Sequence, residues 1–106
     1  MMQTNTVNIC QSMTEVRENI DALDARIVDL MALRTGYVAQ AARIKQHANQ
    51  VLDLVRVEYI VARVRQMAES RGSSPEVVEA AYRALIGASI EFEHGEFARL
   101  RAGASA

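Results

Sequence analysis

Between Met13 and Gln46 the chain has no proline, and Gly36 is its only glycine, so nothing in that span forces a helix to break. Ser12, followed three residues later by Glu15, has the spacing of a capping box and marks the start. The sequence therefore predicts one helix from Met13 to about His47, roughly 34 residues and about 51 Å long at 1.5 Å per residue. A compact chain of ~100 residues has a radius of gyration of only about 13 Å, so such a rod outreaches any core the chain can build alone. Its apolar stripe needs a partner, most simply a second copy of the same chain, and the expected assembly is an intertwined helical-bundle homodimer.

After the polar run QHANQ, apolar residues resume at Leu54, Val57, Ile60, Val61, Val64 and Met67, the pattern of a second helix of roughly 18 residues that ends at Arg71 and Gly72. The run RGSSPE then supplies a C-terminal glycine, Ser74 as N-cap and Pro75 at the first helical position. A third helix of roughly 27 residues is expected from Pro75 to about Arg101. No alternation of strand period and no internal repeat stands out, so the fold class is all-α with three helices. Residues 1–106 are expected to form a single domain, with residues 1–12 and 102–106 as flexible ends.

Charge excludes whole classes of partner. Twelve basic and 13 acidic residues give a net charge of −1, spread along the sequence, so no basic field exists to hold nucleic acid or an anionic membrane. The single cysteine, Cys10, rules out an intrachain disulfide. MMQTNTVNICQS lacks the basic and apolar runs of a signal peptide, and no apolar stretch is long enough to span a bilayer. A cytoplasmic setting is the expectation.

Charges nevertheless sit in the seams of the long helix. At a seven-residue step its rows read Ile20, Ile27, Arg34, Ala41; Leu23, Leu30, Tyr37, Ile44; and Asp24, Met31, Val38, Lys45. Arg34 and Lys45, 11 residues apart in the sequence, stand on one face about 16 Å apart along the axis. They could grip a small anion between them, or could snorkel to solvent or meet glutamates across an interface. The third helix favours the first reading, because its inner stripe Tyr82, Ile86, Ser89, Glu93, Phe97 again carries polar groups inward, and buried charge is costly unless paired or used. Arg17 lies about 26 Å from Arg34 along the same rod, too far to share one metabolite within a chain. In an antiparallel pair of long helices, Arg17 of one copy can reach the site of the other.

These residues carry a resemblance. The segment VRENIDALDARIVDLMALRTGYVAQAARIK is similar to the all-helical chorismate mutases and their relatives, the isochorismate pyruvate lyases, and the likeness extends over most of the chain. It implies that Arg17 reaches across a homodimer, that Arg34 and Lys45 bind the substrate, and that Asp53 and Arg56, in VLDLVRVE, close the pocket. It also places Ser89 against the substrate and Glu93 at its ether oxygen. Two departures from the family pattern stand out. Mutases often carry a glutamate directly after the arginine matching Arg56, where this chain has Val57; Glu58 is displaced by one residue and turned about 100° round the helix. Glu93 stands where many members have glutamine, and a carboxyl donates a hydrogen bond to an ether oxygen only in its protonated form, which burial favours.

The implied reaction, chorismate to prephenate, is an intramolecular rearrangement that needs no nucleophile, metal or cofactor, and none is expected. His47 and His94 are isolated and read as solvated side chains rather than ligands. The expected partner is a small cyclic dicarboxylate, with neither nucleic acid nor membrane. Two alternatives stand beside the mutase. One is isochorismate cleavage to salicylate and pyruvate, suggested by Val57 and by a likeness of CQSMTEVRENID to the lyase branch. The other is a non-catalytic dimerisation module whose seam charges set register, in which Arg34 and Lys45 pair with acidic residues such as Asp24 or Glu93.

Overall fold

A computed structural model, which describes residues 6–105, contains three α-helices and no strand among those residues: α1, Met13–Ile44; α2, Leu54–Ser70; and α3, Pro75–Ser105. A short 3₁₀ turn, Ala48–Gln50, lies between α1 and α2. The all-α expectation holds. By its internal contacts the chain forms two compact units, Met1–Arg34 and Thr35–Ala106.

In the first unit the start of α1 is built as its sequence implies, with one change. Ser12 Oγ accepts the Glu15 amide at 3.1 Å, but the Glu15 carboxylate reaches back to the amide of Gln11, at 3.0 Å, rather than to that of Ser12. Two orphan donors are still satisfied, at a position shifted by one residue. Asn19 adds bonds to the Glu15 carbonyl and to Cys10 Sγ, and Asn8 donates to Asn19. Of the expected flexible end, residues 1–5 lie outside the described residues, while Asn8 to Gln11 fold back onto the first turn of α1. Along the helix Ile20, Leu23, Ile27 and Leu30 are each at least half exposed. An amphipathic helix normally buries such a stripe.

The second unit is organised by α2 packed on α3. Val61, Val64 and Ala68 of α2 and Ile86 of α3 are buried, as are Ala42 and Val51. The turn between the two helices follows the RGSSPE reading closely. Gly72 has φ 69°, a left-handed conformation that costs glycine little, and it lets the Ser73 amide reach the Ala68 carbonyl (2.9 Å) and its own amide reach that of Glu69 (3.0 Å). Ser74 Oγ then accepts the Val77 amide, and Pro75 begins α3.

Two helix ends differ from expectation. The first helix stops at Ile44 rather than near His47. The Lys45 amide still donates to Ala41, but the next two amides, of Gln46 and His47, are both taken by Gln50 Oε1 at 2.9 and 3.0 Å. A side chain from downstream thus replaces the helical acceptors and ends the helix. The third helix runs on past Arg101 to Ser105, through alanines that favour it.

Ion pairs tie α2 to α3: Arg65 to Glu79 (2.7 Å) and Arg83 to Glu58 (3.3 Å), with Glu79 also holding Arg83 at 2.7 Å within α3. The guanidinium of Arg83, and then that of Arg65, hold the Glu79 carboxyl below the usual carboxylate range. A depressed folded-state value means that the contribution is present above the unfolded value and is lost as pH falls through the folded one. Glu79→Gln should therefore lower Tm near neutral pH by a few degrees at most, as suits exposed pairs, and the gap to the native chain should close as both are melted at progressively lower pH through the acid range.

Candidate active site

Lys45 and Glu93 are 48 residues apart in the sequence and are brought together by the fold. Lys45 is the first residue after α1; Glu93 lies on the inner stripe of α3, one turn beyond Ser89. The ammonium Nζ stands 2.6 Å from Glu93 Oε2. Glu93 is only 7% exposed and is the one polar residue buried among those described, while the Lys45 side chain keeps 27% of its surface. A carboxylate so buried needs a cation or a proton, and the lysine supplies the first.

The floor beside Lys45 is formed by the segment leading into α2. Lys45, Asn49, Gln50, Leu52 and Asp53 line an open depression of ≈ 610 Å³ that extends to Leu54 and Val55. Asp53 is the N-cap of α2: its Oδ1 accepts the Arg56 amide at 3.0 Å and its carbonyl accepts the Val57 amide at 3.0 Å. The cap fixes where Asp53 sits, at the rim, and α2 starts at Leu54, where the apolar pattern resumes in the sequence. Arg56 is exposed, with its guanidinium 5.2 Å from the centre of the Tyr59 ring. Val57 is half-buried and adds no polar group, and Glu58 is engaged with Arg83 on α3. Ser89 is half-buried, and its hydroxyl donates to the Leu85 carbonyl at 2.8 Å.

Arg17 and Arg34 both lie on α1 within the first unit, Arg17 near its start and exposed, Arg34 at the end of that unit and half-buried. In the second unit Lys45 sits between Glu93 on one side and the depression edged by Asp53 on the other. The pairing of Lys45 with Glu93 is also the contact that the dimerisation-module reading foresaw.

Sequence reasoning passed over Arg101. Its guanidinium donates to the carbonyl of Ala42 at 2.7 Å and to that of Lys45, and it stacks 3.8 Å from the centre of the Phe97 ring. The signal was present in the sequence, since Arg101 continues the four-residue step Ser89, Glu93, Phe97, but it lay where the third helix was expected to end.

Chemically, the second unit offers a buried carboxyl and an ammonium side by side at the edge of an open depression. The ammonium is a donor suited to an oxygen that gains negative charge as its bond breaks. No helix among the described residues is long and apolar enough to cross a membrane. No curated protein matched the chain. The family model described as chorismate mutase type II matches residues 16–94, a span that takes in Arg17, Arg34, Lys45, Asp53, Arg56, Val57, Ser89 and Glu93 and ends before Phe97 and Arg101. The chain belongs to the chorismate mutase type II family, and its function is of the chorismate mutase type.

Proposed function

We propose that the protein converts chorismate to prephenate in a cationic pocket shared between two copies of the chain, each acting as a single domain. The observation that carries this reading is the Lys45–Glu93 pair, with a buried carboxyl held 2.6 Å from an ammonium at the positions where the family binds the ether oxygen. Arg34, together with Arg17 of a second copy, takes the two carboxylates of the substrate. Asp53, Arg56, Val57 and Ser89 shape and orient the remainder of the site, Asp53 toward the hydroxyl.

The reaction breaks the ether C–O bond as a new C–C bond forms within the same molecule, so no proton is transferred overall. Rate enhancement comes from holding the compact, reactive conformer and from donors already in place where charge develops. Lys45 supplies one donor. Glu93, a carboxylate paired with the Lys45 ammonium in the free protein, supplies the other in its protonated form beside bound substrate.

Glu93→Gln keeps a hydrogen-bond donor at this position, so it should hold kcat within about tenfold of the native chain, whereas Glu93→Ala removes the donor and should lose about 10²-fold to 10³-fold. Steady-state kcat of the two variants tests this, and equal losses in both would remove Glu93 from the donor role.

One observation favours a second reading. Val57 puts a half-buried apolar side chain where mutases often place a carboxylate for the substrate hydroxyl, and Glu58 is turned to Arg83. Isochorismate cleavage to salicylate and pyruvate breaks an equivalent ether bond and would use the same cations. The deciding experiment supplies the purified protein with chorismate and isochorismate in parallel and follows prephenate, salicylate and pyruvate. Prephenate as the efficient product supports the mutase and shows that Val57 is tolerated. Salicylate with pyruvate assigns the lyase, and turnover of neither leaves the dimerisation module.

A further inference from the structure

Lys45 follows directly on α1, at a point where a helix end leaves carbonyls without partners and the backbone is free to wander. Three contacts hold it here. Its amide donates to Ala41 at 2.9 Å, its carbonyl accepts from Arg101, and the Ala42 carbonyl one turn back accepts from the same guanidinium at 2.7 Å. Arg101 is thus a two-armed cap delivered from another helix, and its positive charge lies where the α1 dipole favours a cation.

Arg101 is itself immobilised. It is half-buried, and its guanidinium carbon lies over the Phe97 ring, 3.8 Å from its centre and one turn back on α3. Glu93 is one further turn back. A single stripe of α3, Glu93, Phe97 and Arg101, therefore meets the end of α1 twice, gripping the side chain of Lys45 with Glu93 and its backbone with Arg101. The two grips together determine the position of the ammonium, because a long lysine side chain can place its charge reproducibly only if the backbone beneath it is fixed.

We infer that Arg101 is a positioning residue for Lys45, holding the backbone from which the ammonium reaches the ether oxygen. This rests on the proposed function of Lys45, and it concerns a residue beyond the span matched by the family model. Arg101 makes no claim on the substrate itself, so its loss should fall on kcat and not on KM.

The experiment is a double-mutant cycle read in chorismate turnover. Arg101→Met keeps an unbranched side chain against Phe97 and removes both donors. Its kcat should fall roughly tenfold to a hundredfold with KM within about twofold, the scale expected when a reacting group is displaced by about an ångström. In a Lys45→Ala background the same change should cost nothing further, since no ammonium remains to be placed. Should Arg101→Met melt below the assay temperature, Arg101→Gln, which keeps one donor arm, carries the test with the same expected direction. A native kcat in a folded Arg101 variant overturns the inference, as does an equal loss in both backgrounds, which would mark a merely structural role, or a rise in KM, which would mark direct contact with substrate. If Lys45→Ala alone turns over like the native chain, the proposed function itself fails. If Lys45→Ala is inactive while Arg101→Met is not impaired, only the positioning role fails.

Discussion

Lys45→Ala should lower kcat for chorismate about 10²-fold to 10³-fold, the loss typical of removing one preorganised donor from a developing oxyanion. The same change acts on the fold, because it leaves Glu93 buried without its cation. Breaking a buried pair by deleting one partner costs about 3–5 kcal/mol in a dry interior. Here the Lys45 side chain is 27% exposed, so solvent screens the pair and the cost should fall below that range. The two effects separate in the double variant Lys45→Ala/Glu93→Gln. Removing the stranded carboxylate should recover most of the lost Tm while turnover stays low, since stability needs only the charge balance and catalysis needs the cation. A dimerisation module makes the opposite forecast, with no chorismate turnover to lose and no stabilisation by a cyclic dicarboxylate. A thermal shift with such a ligand, raised in the native chain and absent in Lys45→Ala, therefore discriminates between the two.

The second large effect concerns self-association. Leu23→Asp should convert the proposed dimer to monomers at micromolar concentration and take turnover with it. Ile20, Leu23, Ile27 and Leu30 present a stripe with each side chain at least half exposed, which is apolar surface left in contact with water. Full burial of such a side chain is worth about 1.5–3 kcal/mol, and Leu23 is 50% exposed, so about half of that remains to be gained. In a twofold dimer each substitution occurs twice, so a single change withdraws about 1.5–3 kcal/mol, or roughly tenfold to 10²-fold in the dissociation constant, before the cost of a buried aspartate is added. Sedimentation of the native chain and of Leu23→Asp over a concentration series measures this directly. The proposed site takes Arg17 from the second copy, so loss of the dimer and loss of activity should share one concentration dependence. A native chain that sediments as a monomer at every concentration would remove Arg17 from the site.

Much of the architecture is legible from local chemistry. The start of the first helix and its unbroken run follow from Ser12 and the absence of breakers after it, and the turn at Gly72 and Pro75 follows from a glycine free to take positive φ and a proline whose φ is fixed. The end of the first helix was not legible in that way. Helix propensity carries it on toward His47, but Gln50 captures the next two amides, and Arg101, 56 residues beyond Lys45, takes the carbonyls. Neither is a property of the residues near Ile44. The candidate site divides similarly. Periodicity alone places Glu93 and Lys45 on inner faces without saying that they meet, and the likeness to the mutases supplied their common role. Arg101 escaped both routes, because it stood where the third helix was expected to end and its partners near Ile44 are backbone carbonyls, which a side-chain pattern does not name.

The tight turn between α2 and α3 bears on the order in which the molecule assembles itself. Helices joined by four residues, Arg71 to Ser74, with one end sealed at Gly72 and the next opened at Ser74, need little loop closure to find each other. Their contacts are close in sequence, which is the topology that folds fastest. The clasp of Glu93 and Arg101 on the end of α1 closes 48 and 56 residues of chain, so the contacts that place Lys45 carry a larger loop-closure cost than those of the hairpin.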